Sequence, residues 1–222
     1  MKDALFEEYS KEKEPAKYYK TYAWRTAIGL QKVDGLEPSE YLIKTAEQSI
    51  NGYISFDDAH SLITSYYKEN KTQSERTEEA DKVSVRIAQI ISEKSFVFSP
   101  VEYTTIHKRL FEGIYPHAGR IRDYNITKDE WVLDGDTVMY GNAINLRENL
   151  EYDFGVEKNF DYKDCPTEEL IKHLARFTAN LWQIHIFGEG NTRTTAVFLI
   201  KYLSKLGFNV TNDIFEIGRA HV

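Results

Sequence analysis

Cysteine is almost absent: Cys165 is the only one in 222 residues. That excludes an internal disulfide and a cysteine-rich zinc site. An excess of basic charge is missing too. The chain carries 28 Lys and Arg against 35 Asp and Glu, a formal net charge of −7. This balance argues against DNA or RNA as a partner, while leaving room for one nucleotide in a local basic pocket. No apolar run is long enough to span a bilayer. The opening Met1-Lys2-Asp3-Ala4-Leu5-Phe6-Glu7-Glu8 lacks the basic-then-apolar pattern of a leader. The expectation is a cytoplasmic protein with no membrane partner, signal-less export being the alternative. No stretch reads Gly-x-x-x-x-Gly-Lys-(Ser/Thr), which disfavours a P-loop kinase or ATPase.

What remains is ordinary globular material. Hydrophobic residues make up 41% and charged residues 28%, enough for one substantial core plus a small appendage. Residues 1–14 are charged. From Tyr18 to Tyr67 the spacing predicts three helices. Trp24, Ala27, Ile28 and Gln31 carry the first, and Asp34-Gly35-Leu36-Glu37-Pro38-Ser39 stops and restarts the chain. Tyr41, Leu42, Thr45, Ala46 and Ile50 carry the second, closed by Asn51-Gly52. Ser55, followed by Asp57 and Asp58, caps the third. Between Lys68 and Lys82 the only apolar residue is Ala80, which predicts a linker or a solvated helix edge.

A second unit begins near Val83, with Val83, Ile87, Ile90 and Ile91 in one stripe. Ser99-Pro100 opens a helix through Tyr103, Ile106, Leu110 and Ile114. Between Arg120 and Asp136 the pattern changes. Ile121, Ile126, Trp131 and Val132 read as a short hairpin around Lys128-Asp129-Glu130. Val138 to Leu150 reads as helix. Two further helices follow, one from Thr167 to Ile184 with Leu170, Ile171, Leu174, Phe177, Leu181 and Ile184 on one face, and one from Thr194 to Leu206. The fold expected is mostly α, a helical bundle with one small hairpin, preceded by a three-helix module.

Between the last two helices lies His185-Ile186-Phe187-Gly188-Glu189-Gly190-Asn191-Thr192-Arg193. Glycines let a backbone approach a ligand closely. The start of a helix offers unpaired N–H groups and a positive dipole end to an anion. Arg193 can pair with phosphate oxygens, and Glu189 can hold a magnesium ion. His185 has the side chain best suited to taking a proton near neutral pH. Taken as bare residues, His185 could instead be a buried structural imidazole, Glu189 and Arg193 surface charges, and Asn191 only a helix cap.

These residues resemble the signature of the Fic (filamentation induced by cAMP) family, His-x-Phe-x-(Asp/Glu)-Gly-Asn-Gly-Arg-x-x-Arg. His185, Phe187, Glu189, Gly190, Asn191 and Arg193 match it. Thr192 stands in place of the second glycine and Ala196 in place of the second arginine. The resemblance extends upstream through Tyr115-Pro116-His117-Ala118-Gly119-Arg120-Ile121-Arg122 and Asn125-Ile126-Thr127-Lys128, and covers about residues 83 to 215. It implies a Fic-type bundle with a hairpin flap that docks a target by strand addition at Lys128, Asp129 and Glu130. It implies a protein adenylyltransferase using ATP and Mg²⁺. In that reading His185 deprotonates a hydroxyl of an unidentified protein substrate, and the oxygen attacks the α-phosphate. Glu189 ligates the metal, Gly188, Gly190, Asn191 and Thr192 form the phosphate cradle, and Arg193 meets the β-phosphate. Tyr140 is a candidate for the adenine pocket. Alternatives are another Fic-type transfer, removal of AMP, or a non-catalytic binding module.

Residues 1–67 resemble the helical antitoxin modules that accompany some Fic toxins. Those modules carry (Ser/Thr)-x-x-x-Glu-Gly, whose glutamate pairs with the second arginine. Here Leu30 and Asp34 occupy those positions and the partner is Ala196. Asp34 is thus a candidate regulatory residue, and a purely structural helical cap is the equal alternative. The resulting organisation is a module at 1–67, a linker at 68–82 and a catalytic domain at 83–215. Glu216-Ile217-Gly218-Arg219-Ala220-His221-Val222 resembles a translated sequencing adapter. The expectation is a catalytic domain cut short at its C-terminus and a non-native tail.

Overall fold

The computed structural model describes residues 15–70, 74–129 and 137–211. Glu130, Trp131 and Val132 of the hairpin and the tail at 216–222 lie outside the described residues. Among the described residues, eight α-helices and one two-stranded sheet follow in order. They are α1 (Pro15–Val33), α2 (Glu40–Ile50), α3 (Phe56–Glu69), α4 (Glu75–Ser92), α5 (Pro100–Phe111), β1 (Thr127–Asp129), β2 (Thr137–Met139), α6 (Leu146–Lys158), α7 (Thr167–Ile184) and α8 (Asn191–Lys205). The fold is mostly α with a small hairpin, as its periodicity predicts. Among the described residues no helix is long and apolar enough to cross a membrane.

The described residues divide into two compact units. One runs to Phe96 and resumes at Ile200; the other is Val97–Leu199. The first is held by helices whose ends are set locally. Ser39 and Ser55 cap α2 and α3 through their hydroxyls, and Ser55 forms a reciprocal capping box with Asp58. Gly35, with φ of +69°, ends the turn after α1, where Leu36 N–H bonds back to Gln31 O at 2.9 Å. Trp24, Leu30, Leu42, Ile63, Val83 and Ile87 are fully or almost fully buried. Asp81 on α4, also fully buried, accepts from the Ser39 N–H (2.8 Å), the Ser39 hydroxyl and the Tyr67 hydroxyl (2.8 Å). One carboxylate thereby ties α2, α3 and α4 together.

The linker expected at 68–82 is therefore not a connection throughout. From Glu75 the chain is already α4, which packs on α1 and α3. Its first two turns are polar on the outside but bury Ala80 and Asp81. A single buried carboxylate with three donors reads, in sequence, as one more charge in a solvated run.

The second unit has an aromatic core. Phe98 stacks on Phe154 at 4.9 Å, Tyr103 lies 5.3 Å edge-on to Phe198 and 5.6 Å from Phe187, and Phe154 packs against Phe177. The fully buried Tyr103 hydroxyl shares a hydrogen bond with Thr195 Oγ1 at 2.7 Å. Two expectations fail here. Residues 138–145 do not belong to the next helix: Val138 and Met139 pair with Lys128 and Thr127 in the sheet. Gly141 and Asn142 then break the chain, and Asn142 caps a short 3-10 turn at Ala143–Asn145 before α6 begins. On α7 only Phe177, Leu181 and Ile184 of the apolar face are buried, and Ile171 is exposed. Periodicity marks an amphipathic face but not how far along its length a neighbour covers it.

Candidate functional site

The site is the connection from α7 to α8. Helix α7 stops because His185 adopts the left-handed conformation, φ of 50° and ψ of 60°, as its C-cap. A non-glycine residue takes this shape only where its surroundings impose it. Arg122 does so here. Its Nε donates to His185 O at 2.7 Å, and Nη2 donates to Ile184 O at 3.3 Å and to Gly141 O at 2.6 Å. Nη1 donates to Tyr124 O at 2.5 Å, and the Arg122 N–H bonds to Ile186 O at 2.9 Å. One buried guanidinium thus gathers the end of α7 and both ends of the hairpin segment. The His185 ring is buried and lies on the Tyr140 ring, with centroids 4.0 Å apart and planes at 22°.

Past His185 the loop is closed by its own asparagine. Asn191 Oδ1 accepts from Phe187 N–H at 2.9 Å, and Asn191 Nδ2 donates to Phe187 O at 2.8 Å. The Asn191 side chain is thereby committed to holding the loop shut, and a direct catalytic use of it does not fit this geometry. Gly190 has φ of +74°, and a Cβ there would sit 2.4 Å from the Phe111 ring. Gly188 is equally confined: a Cβ would lie 2.5 Å from the Tyr124 hydroxyl and 3.2 Å from His117 Nε2. Thr192, where the signature has glycine, sits in the first turn of α8 without a positive φ. Its departure therefore costs no backbone strain.

His107 supports the loop from below. Its Nδ1 accepts from Gly119 N–H at 2.8 Å, so Nε2 carries the proton and donates to Glu189 O at 2.9 Å. The ring is fully buried and stacks on Phe187 at 3.7 Å. Burial pushes its pKa down to about 4, with the charges of His117 and Arg193 adding to the effect. His107 is thus a neutral positioning group under Glu189. The Glu189 side chain is exposed. Arg193 is buried, with Cζ 4.8 Å over the Phe111 ring and Nη2 3.3 Å from the Tyr115 hydroxyl. Tyr115 in turn stacks on His117, whose buried Nε2 makes no hydrogen bond among the described residues.

The structure therefore brings together His185, Gly188, Glu189, Gly190, Asn191, Thr192, Arg193 and Tyr140. Tyr140 lies on the stretch after β2 rather than on a helix. Lys128 and Asp129 are the last two residues of β1 and pair with Val138 and Thr137. Asp34 lies in the turn after α1, in the other unit. The residues that sequence reasoning missed are His107 and the role of Arg122. His107 sits at helical spacing among Tyr103, Ile106 and Leu110, a stripe that reads as plain core. Arg122 was legible only as part of a resemblance, because nothing local marks a guanidinium that serves carbonyls 62 residues away.

Beside Tyr140 and Ile184 lies a cavity of about 290 Å³, lined also by Met139, Gly141, Asn149, Tyr152, Asp153, Asn180 and Gln183. Among the described residues no cluster of three or more His, Cys, Asp or Glu side chains is placed to hold a metal ion.

Residues 97–203 match the model of the Fic/DOC family. No curated protein matches the chain.

Proposed function

With residues 97–203 forming a Fic/DOC-family domain, we propose that this Fic-type transferase moves AMP from ATP to a hydroxyl group of a protein. The observation that carries the reading is the left-handed His185, held by Arg122 through its carbonyl, immediately before a loop that Asn191 ties closed. Catalysis of such a transfer is mostly positioning plus neutralisation of charge. In this reading His185 removes the proton from the target hydroxyl. The oxygen bonds to the α-phosphorus, the bond from that phosphorus to the β-phosphate bridging oxygen breaks, and pyrophosphate leaves with the electron pair. Gly188 and Gly190 keep the cradle free of side chains. In the same reading the first N–H groups of α8 face the anion, and Arg193 neutralises the β-phosphate.

Magnesium fits the residues present in a limited way. A lone exposed carboxylate, Glu189, suits an ion that keeps several waters and takes its other oxygens from phosphate. When bound, the ion neutralises phosphate charge. His107 would fix the Glu189 backbone from beneath. The heterocycle would lie in the cavity beyond Tyr140. The N-terminal unit, with Asp34 in the turn after α1, belongs to the same proposal as an antitoxin-like restraint. Ala196 offers no guanidinium for an ion pair, so such a restraint would have to act sterically or through Arg193.

The test is incubation of the full chain with labelled ATP and candidate proteins, with mass spectrometry of the products. The wild type should leave AMP on hydroxyl side chains. His185→Ala should lose about 10²- to 10⁴-fold in rate while keeping its helical content and nucleotide binding. Unchanged transfer by a folded His185→Ala variant sinks the base assignment. Binding of nucleotide without any transfer would favour a non-catalytic module.

A further inference from the structure

The cavity beside Tyr140 has a chemical character that the transfer reaction does not use. Its lining holds one acid, Asp153, and three amides, Asn149, Asn180 and Gln183, with Tyr140, Tyr152 and Met139 as its larger apolar surfaces. Among the described residues no lysine or arginine lines it. A phosphate group would meet an unneutralised carboxylate there. A planar heterocycle would find aromatic surface and in-plane hydrogen-bond partners.

Asp153 is nine-tenths buried, and its only hydrogen bond among the described residues is to Asn180, Nδ2 to Oδ1 at 3.0 Å. Oδ2 therefore has no donor among the described residues and is open to solvent. A carboxylate oxygen at the wall of a cavity can exchange water for a donor that a ligand supplies. Desolvation accordingly raises the Asp153 pKa, against the smaller opposing effect of Asn180.

We propose that Asp153 is a specificity-determining residue that reads an exocyclic amine on the base of the nucleotide substrate. The inference rests on the transferase reading above. An ionised carboxylate only accepts, so it selects a base edge that donates. Because Asn180 holds Oδ1, a single donor is wanted. The amino group of adenine or cytosine meets that need. The paired N–H groups of guanine want both oxygens. Hypoxanthine and uracil place a carbonyl where the amine would be, opposing two acceptors. Among these the cavity of about 290 Å³ has room for a purine. A cage for a quaternary ammonium is the other occupant that an acid among aromatics could take. The three amides argue against it, because such a cation cannot use them.

The experiment is calorimetric binding of ATP, CTP, GTP, ITP and UTP to the full chain with magnesium, repeated on Asp153→Asn. Choline is the cationic probe. ATP should bind at least about tenfold more tightly than ITP, the two differing only at the amine and its neighbouring ring nitrogen. Asp153→Asn, which can donate to a carbonyl, should shrink that preference to about threefold or less, mainly by strengthening ITP. Equal binding of ATP and ITP by the wild type overturns the proposal, as does an unchanged preference in a folded Asp153→Asn variant or competition of choline with ATP. Base-indifferent binding would refute this inference alone. If no nucleotide of any base binds the wild type, the transferase reading falls as well.

Discussion

The two units of this chain solve the same problem in opposite ways. In the N-terminal unit the helix ends are finished by neighbours in sequence. Ser39 caps α2 and Ser55 caps α3, each three residues from the amide it serves. In the second unit the critical helix end, at His185, is finished by Arg122, and the loop behind it by His107, both from distant segments. Local capping makes an element that forms wherever its sequence goes. Remote bracing makes a loop that takes its shape only when three segments are already in place. The second arrangement suits a site, because it holds a left-handed histidine, a conformation uncommon for a non-glycine residue.

The comparison breaks most visibly at Arg122. Arg122→Ala leaves carbonyls of Tyr124, Gly141, Ile184 and His185 without their donor. We expect a loss of about 3–5 kcal/mol, read by urea denaturation, because buried acceptors then lack partners. Transfer activity should fall with it. If Arg122→Ala unfolds no earlier than the wild type, the bracing argument is wrong.

The next effect comes from pH. The pKa of His107 is pushed down to about 4 by burial, from an ordinary value of 6.5. Between those values the unfolded chain binds a proton that the folded chain does not, so stability rises with pH. The contribution is present in full above about pH 6.5 and is lost as pH falls toward 4, a total of about 3 kcal/mol. Denaturation at several pH values should show this slope, and His107→Gln should flatten it. His60, in the other unit, is also shifted down by burial and by Arg86, but it is only half-buried. A slope that survives in His107→Gln would transfer the effect to that unit.

The smallest effect belongs to local capping. Ser55→Ala removes one exposed cap and should cost about 1 kcal/mol. Nucleotide binding should not change. A larger loss, or a change in binding, would mean that the end of α3 is tied to more than its own first turn.

Much of this was legible in the chain. The caps at Ser39, Ser55 and Ser99, the Gly35 turn and the apolar stripes of α1 to α5 follow from residue types within one or two helical turns, and so do the glycines of the 185–193 loop. Where reading failed, the deciding partner was remote. Asp81 in a polar run is a solvated charge until Ser39 and Tyr67 arrive. Residues 138–145 look helical until Thr127–Asp129 pairs with Thr137–Met139 and Asn142 caps the 3-10 turn. His107 looks like core until Gly119 and Glu189 take its two nitrogens.

The sequence by itself determined the helical class, most element boundaries in the N-terminal unit, and the chemistry gathered between α7 and α8. Those properties depend on short-range geometry: periodicity, φ preferences and capping within a turn. Only the tertiary structure decided how His185 is held, which tautomer His107 adopts, that Asn191 is a latch, and that an acid held by one amide, Asn180, faces a cavity beside Tyr140. Each of these is a question of which buried polar atom meets which partner. That answer exists only after segments tens of residues apart have packed.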